Sequence, residues 1–420
     1  MKDVLIIGGG AVGLCTAYYL HARGRRVTVL DQTTLRDGAS TGNAGMIVPS
    51  HVVPLAAPGV IAKGLKWLLN PESPFFIKPR LDPALIAWLW RFRAACTNDN
   101  VARGIPVLRD LSLTSTALLD DLAASPGLGD FGLAHTGLLM VYRSEKGRKE
   151  NLETADLAEA AGLDIDRLDA DATLALEPAI CSPQTGSVFY RQDARIDPDR
   201  FVEVLARSLQ DAGVMIHTRT TVQGLEHRNG LVTAVRTNHD TFEADEIVLA
   251  AGAWTGRLAK MLGLNVPVQP AKGYSLTVET GHPLRIPLIL TEEKVTVTPM
   301  PGRIRFGGTL ALAGFDPSAE PRRVAPIRRQ MQAYCPDLPA DDVEHAPVWT
   351  GYRPCSPDGL PILGRAAPFR NLTLATGHGM MGATLAPVTG KLIAELLDGE
   401  PPSLDLHPLR PDRFSNKSKP

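Results

Sequence analysis

The chain has 420 residues, 44% of them hydrophobic, which is enough to bury a large core and excludes disorder as the main state. With 44 basic against 45 acidic residues the net charge is −1, so nothing attracts nucleic acid globally and a DNA- or RNA-binding protein is disfavoured. The five cysteines (Cys15, Cys96, Cys181, Cys335, Cys355) form no C-x-x-C pair, which argues against a zinc site or a disulfide framework and fits a reducing compartment.

Val4–Ile7 is a short apolar run ending in glycine, the pattern of a buried parallel strand. No cleavable leader is expected, because Gly8 breaks the apolar stretch, and no run of about 18 apolar residues exists to span a membrane. Ala11–Arg23 reads as a helix and Val27–Leu30 as a second strand, so the chain opens with a β-α-β unit. Residues 37–59 are loop-like. Residues 60–96 gather Leu65, Trp67, Leu68, Phe75, Phe76, Trp88 and Trp90 among basic residues. Helices are predicted over about 105–124 and 148–162, with a strand over Leu138–Tyr142. Asp197 as N-cap and Pro198 at the first position open a helix to Ala212. Strands follow at 214–217, 231–237, 241–243 and 246–251, then an antiparallel meander over 266–310 and a helix over Pro321–Tyr334. Leu372–Ala375 is a strand, followed by a glycine-rich turn and a helix from about Ala386 to Leu397. Residues 401–420 are polar and proline-rich and are expected to fray.

Gly8-Gly9-Gly10-Ala11-Val12-Gly13 fits G-x-G-x-x-G between a strand and a helix. In that context Gly8 permits the turn, Gly10 lets the backbone approach a pyrophosphate, and Gly13 lets helix and strand pack closely. The amides of Ala11 and Val12 at the helix start favour phosphate. Asp31, with Gln32 beside it, ends the second strand, where a carboxylate accepts from ribose hydroxyls. Two features favour FAD over NAD: a Gly/Ser/Asn loop follows Asp31, and Ala375–Gly382 offers a second helix N-terminus for the edge of a flavin.

Across Ser40–Gly45, Pro54–Gly59, Ala251–Trp254, Lys272–Ser275, Gly351–Gly364 and Gly377–Gly379, the chain resembles the FAD-dependent amino-acid oxidoreductases of the D-amino-acid oxidase and glycine oxidase superfamily. Within it, the likeness is greatest to bacterial D-amino-acid dehydrogenases, including the hydroxyproline-degrading branch. The resemblance implies an α/β fold. A Rossmann-like FAD-binding domain (1–59, 197–262 and 345–400) would be interrupted by an α+β substrate domain with a largely antiparallel sheet (60–196 and 263–344), and 401–420 would be a flexible tail. It also implies cofactor roles: Ser40, Asn43, Ala44, Gly45 and Met46 beside the flavin, and Val222 at the adenine. Ala251, Gly252 and Trp254 would lie near the pyrophosphate and ribityl chain. Gly377, His378, Gly379, Met380, Met381, Gly382, Ala383 and Thr384 would follow the pyrimidine edge. Cys355 does not match the site where some relatives link FAD covalently, so FAD is expected to be non-covalent, and no metal is expected.

For the substrate, Arg353 stands where glycine oxidase-like relatives bind the carboxylate; the alternative is a structural arginine paired with Asp358. Met380 replaces a second arginine, so His51 is a candidate second partner or else a loop cap. Tyr274 and Thr296 lie on strands that would roof the pocket. The 60–96 segment reads either as a membrane-interface patch or as a helix packed on the second domain. The expected activity is oxidation of a D-amino acid, such as D-proline or 4-hydroxy-D-proline, by hydride transfer from Cα to flavin N5, with electrons leaving to a quinone or other carrier. The alternatives are a glycine/sarcosine-type oxidase that makes peroxide and a non-catalytic FAD subunit of an electron-transfer complex. The expected location is the cytoplasm or the cytoplasmic face of the inner membrane.

Overall fold

The computed structural model describes residues 2–68, 73–181 and 183–415; of residues 65–68 it describes the backbone alone, so the side chains of Leu65, Trp67 and Leu68 lie outside the described set. A six-stranded sheet runs in the order Ile362–Arg365, Leu372–Thr376, Glu246–Leu249, Asp3–Ile7, Arg26–Leu30, Met215–His217. All neighbours are parallel except Ile362–Arg365. Both faces are covered, which is why its strands are continuous apolar runs. Val4, Ile6, Val27 and Val29 face Leu14 and Leu20 of helix Ala11–Ala22, while Leu5, Ile7, Leu30 and Leu249 enter a separate core with Leu225, Val232 and Val235. Those last three come from a small antiparallel sheet whose first strand, Val222–Arg228, the sequence did not announce. Its pairing is broken by two register shifts around Gly224 and His227, so no clean alternation marks it.

The second sheet has nine strands: Val348–Cys355, Gln269–Glu279, Arg303–Leu312, Val295–Met300, Leu288–Leu290, Leu138–Tyr142, Gly186–Tyr190 and Ile165–Asp169 in order, with Phe75–Ile77 beside Arg303–Leu312. It is antiparallel except for two pairs. One face packs on helix Pro321–Tyr334 through Leu276, Val297, Phe306, Ile327 and Met331. Strand Val348–Cys355 belongs to this sheet, paired with Gln269–Leu276, so the return to the first sheet comes after Cys355 and not at 345.

Asp197 caps helix Pro198–Asp211 as expected, accepting from the amides of Asp199 and Arg200. Three helices start earlier than expected, at Asn98, Glu145 and Gly382. Helix Gly382–Asp398 crosses helix Ala11–Ala22 where a Cβ on Gly390 would lie 2.5 Å from the Cys15 backbone. Residues 401–415 do not fray: Leu409 is fully buried, and Arg413 grips both carboxylate oxygens of Asp358 at 2.8 and 3.0 Å.

Candidate functional site

One continuous cavity of about 1240 Å³ joins the two sheets, larger than the roughly 300–1,000 Å³ of a single small-molecule site. That volume accommodates a dinucleotide and a small substrate together. At one end, Gly8 adopts φ +115°, and a Cβ there would sit 2.4 Å from the Ala250 carbonyl oxygen. A Cβ on Gly13 would fall 1.8 Å from the carbonyl oxygen of Gly8, so only glycine lets the helix start against the strand. The helix has no capping side chain at Gly10, and its positive end faces the cavity. Asp31 is held at the wall: Oδ2 accepts from Gly9 N–H and Oδ1 from Thr33 N–H and Oγ1–H, each at 2.7 Å. Oδ2, which accepts a single bond, keeps a lone pair for a ligand hydroxyl, whereas both lone pairs of Oδ1 are taken by Thr33. Thr220 N–H donates to the Asp31 carbonyl at 2.7 Å and places Val222 nearby on the wall. These features fit the dinucleotide.

The loop after Asp31 is stapled from within and hung from the second sheet. Asn43 donates to the carbonyls of Ala39 and Ser40 and accepts from Gly45 N–H, so its amide holds the loop. Ser275 Oγ donates to the Gly42 carbonyl at 2.7 Å, and Arg305 Nη1 donates to those of Thr41 and Asn43 at 2.9 Å. Opposite, helix Gly382–Asp398 begins without a capping side chain, and Gly382 and Ala383 line the cavity at its positive end.

The nine-stranded sheet supplies the other end by register. Trp349 faces Ser275, Ser275 faces Gly307, Gly307 faces Thr296, Thr296 faces Ile289, and Ile289 faces Met140. All six line the cavity, because side chains at matched register share one face. Along Val348–Cys355 the alternation then carries Trp349, Gly351 and Arg353 to that same face. A Cβ on either Gly42 or Gly351 would meet the Trp349 ring at 2.1 Å, so the indole is wedged between loop and strand. Its Nε1–H is buried with no partner among the described residues.

Arg353 stands on the cavity face without a carboxylate partner among the described residues. Gly273 leaves room for it, since a Cβ there would meet Nη1 at 2.2 Å. Nη1 donates to the Thr309 carbonyl at 3.0 Å, and among the described residues no carboxylate pairs with the guanidinium. Burial pulls its pKa down. The Asp358 alternative fails because Asp358 is taken by Arg413.

His51 also lines the cavity; burial holds its imidazole at about 4, and Nδ1 lies 3.0 Å from Ser50 Oγ. His378 is likewise held at about 4 by burial, with Nε2 3.0 Å from Thr389 Oγ1, so it is a neutral turn residue. Met380 lies at the rim, 55% exposed. Tyr274 borders the cavity, its ring packs in the core under helix Pro321–Tyr334, and the charges acting on its hydroxyl are those of Glu320, Arg323 and Asp316.

Of the expected cofactor residues, Ala11, Gly13, Gly377 and Thr384 do not line the cavity. The Ala11 amide is taken by Ser40 Oγ at 2.9 Å, and the Thr384 hydroxyl accepts from Val48 N–H at 3.2 Å. The remaining expected residues line it: Gly8, Gly10, Val12, Asp31, Gln32, Ser40, Asn43, Ala44, Gly45, Met46, Val222, Ala251, Gly252, Trp254, His378, Gly379, Met380, Met381, Gly382 and Ala383. Sequence reasoning missed Trp349, Ile289, Met140 and Lys294. Extending the alternation back from Arg353 reaches Trp349, whereas the others follow only from cross-strand register.

The 60–96 segment splits. In helix Pro83–Ala95, Leu85 and Trp88 are buried against Ala271, Leu312 and Cys355, Trp88 Nε1 donates to the Cys355 carbonyl at 2.9 Å, and Trp88, Leu89 and Phe92, with Ile86 and Trp90 at its edge, border the cavity. Leu81, Ile86 and Trp90 are exposed. Among the described residues no helix is long and apolar enough to cross a membrane, and no group of acidic, histidine or cysteine side chains could hold a metal ion.

A family model described as FAD dependent oxidoreductase matches residues 3–396. A D-amino acid dehydrogenase of Cereibacter sphaeroides is 35% identical over 98% of this chain and 95% of its own length. One from Granulibacter bethesdensis is 33% identical over 96% of this chain and 97% of its own length. Among solved structures, glycine oxidase from Geobacillus kaustophilus superimposes with a TM-score of 0.77 at 24% identity, covering 98% of this chain and 99% of that one.

Proposed function

Given that the chain belongs to the FAD dependent oxidoreductase family, we propose that it oxidises the C–N bond of D-amino acids and passes the electrons to a carrier such as a quinone. FAD supplies the two-electron acceptor and is held without a covalent link. Gly8–Gly13 and Asp31 hold its adenosine and pyrophosphate, and Ala44–Met46 with the start of helix Gly382–Asp398 hold its ring system.

The observation that carries the reading is Arg353: a half-buried guanidinium in the cavity wall with no carboxylate partner among the described residues. A buried cation is costly unless paired, and a planar fork matches a carboxylate. Thr296, Ile289 and Met140 shape the space along the same face for the side chain, and Met380 stands at its rim. The relatives named D-amino acid dehydrogenase support the D configuration. A quinone acceptor and contact with a membrane surface are supported by the exposed Leu81, Ile86 and Trp90, with Arg93 beside the indole.

Anaerobic bleaching of the bound flavin tests this with D-proline, cis-4-hydroxy-D-proline, D-alanine, their L forms, glycine and sarcosine. Bleaching by D forms, followed by slow reoxidation in air and fast reoxidation by a soluble quinone, is the expected result. Bleaching by glycine or sarcosine with rapid reoxidation in air moves the chain to the oxidase branch. Acid precipitation is expected to release all the flavin into the supernatant.

A further inference from the structure

Ser50 and Asp193 have no role in the function above, and 143 positions separate them. The short pairing of Met46–Ile47 with Ala194–Arg195 brings them together. Ser50 Oγ donates to Asp193 Oδ2 at 2.5 Å, and Ser50 N–H donates to Oδ1 at 2.9 Å. The same Oγ lies 3.0 Å from His51 Nδ1, and His51 lines the cavity that also holds Arg353. Asp193 is 1% exposed, and its hydrogen bonds to Ser50 are the interactions that oppose its burial. A buried carboxylate one hydroxyl away from a cavity histidine is an expensive arrangement for a loop anchor alone.

We propose that His51, Ser50 and Asp193 form a proton relay that accepts the proton of a substrate α-ammonium group before the C–N bond is oxidised. The inference rests on the amino-acid reading above. An amino acid arrives as an ammonium ion, and a hydride can leave Cα only when nitrogen has a lone pair to share. The Ser50 hydroxyl has one proton, and it is given to Asp193. His51 Nδ1 therefore carries the hydrogen that points at Oγ, which leaves Nε2 with a free lone pair. In the transfer the substrate N–H bond breaks and Nε2–H forms. The Nδ1 proton passes to Ser50 Oγ as the Oγ proton passes to Asp193 Oδ2. The electron pair stays on the substrate nitrogen, the imidazole ends neutral, and the carboxylate ends as a carboxylic acid. The proton returns by the reverse path once the product has left.

The environment supports that direction of transfer. Burial pushes the Asp193 carboxyl up to about 7 and holds His51 at about 4, so the proton rests on Asp193 and not on the ring. Beside Asp193 the titratable side chain is Tyr190, which burial and the Asp193 charge push above the usual phenol range, so it stays neutral. Arg195, two positions on, interacts with Asp197 instead. Lys294 is the ammonium in the shared cavity wall, and burial lowers its pKa.

Ser50→Ala tests the relay, since it deletes Oγ and keeps the backbone bond to Asp193. With a bleaching D-amino acid, kcat/KM is expected to fall about 100-fold at pH 7, within the usual range of general-base effects. The loss should shrink as pH rises, because more substrate then arrives as the free amine. Ser50→Thr should restore rate and profile. Flavin content and the Kd of pyrrole-2-carboxylate, which has no basic amine, should match wild type. A Ser50→Ala profile that superimposes on wild type overturns the relay while leaving the amino-acid reading in place. If wild type oxidises no amino acid, the amino-acid reading falls and the relay falls with it.

Discussion

At the proposed cofactor end of the cavity, much of the wall comes from short stretches of chain: Gly8–Gly10 with Val12, Asp31–Thr33, and Ser40 with Gly42–Met46 all lie within the first 46 residues. At the proposed substrate end, one row of wall residues runs Trp349, Ser275, Gly307, Thr296, Ile289, Met140, drawn from six strands and spanning about two hundred positions of sequence. The first end tolerates almost no added atom, because backbone lies against backbone. The second is lined largely by side chains, and an atom added there meets side chains such as Trp349 and Arg353 in place of backbone. Changes at the first end should therefore act through loss of the flavin, and changes at the second through substrate affinity with the flavin retained.

The severest way to break that contrast is Gly13→Ala, whose Cβ has only 1.8 Å to the Gly8 carbonyl oxygen. Protein purified from this variant should carry little or no flavin, read as the ratio of visible to 280-nm absorbance. Full flavin content would show that the first end is as forgiving as the second. Arg353→Ala should keep its flavin and raise KM for carboxylate substrates about 100-fold, on the order of 2–3 kcal/mol for a lost charged pair. Arg353→Lys should recover only part of that, because an ammonium cannot make the paired bonds of a fork. An unchanged KM in Arg353→Ala would remove the arginine from the substrate site.

Asp193 tests the junction between the ends through stability. Its folded-state pKa of about 7 lies above the ordinary carboxylate range, so the folded state holds this proton more tightly than the unfolded chain. The contribution is fully present below the unfolded pKa and is lost as pH rises through about 7. Asp193→Asn has no such term. The stability of Asp193→Asn relative to wild type should therefore rise by on the order of 1–2 kcal/mol between pH 5 and pH 8 in urea titrations. A difference that does not change with pH would mean that Asp193 ionises normally. The smallest effect is expected at Ser275→Ala, which removes one bond from sheet to loop at Gly42: about 1 kcal/mol of stability, with a faster loss of flavin on dilution.

The same contrast separates what could be read from the chain. G-x-G-x-x-G, the strand on either side of its helix and Asp31 are local, and their spacing announces the geometry found. Asp197-Pro198 marked its helix for the same reason. Strand Val222–Arg228 went unread because register shifts erase its alternation. The tail was misread because polar, proline-rich composition does not reveal that Arg413 meets Asp358 or that Leu409 is fully buried. Tyr274 borders the cavity as expected of its strand, while its ring packs on helix Pro321–Tyr334, a contact no local pattern shows.

By itself, then, the sequence determined the geometry proposed to cradle the cofactor, since a glycine turn, a helix start and a strand-end carboxylate interact over a few residues and need no distant partner. It also named Arg353 as a candidate by position. Only the tertiary structure decided that no carboxylate among the described residues pairs with this arginine. That depends on Arg413 occupying Asp358, on Gly273 leaving space for the guanidinium, and on the sheet register aligning six strands along one face. Only the tertiary structure placed Ser50 against Asp193. Such contacts join residues far apart in the chain, and which ones form is set by packing and pairing energies that no local pattern records.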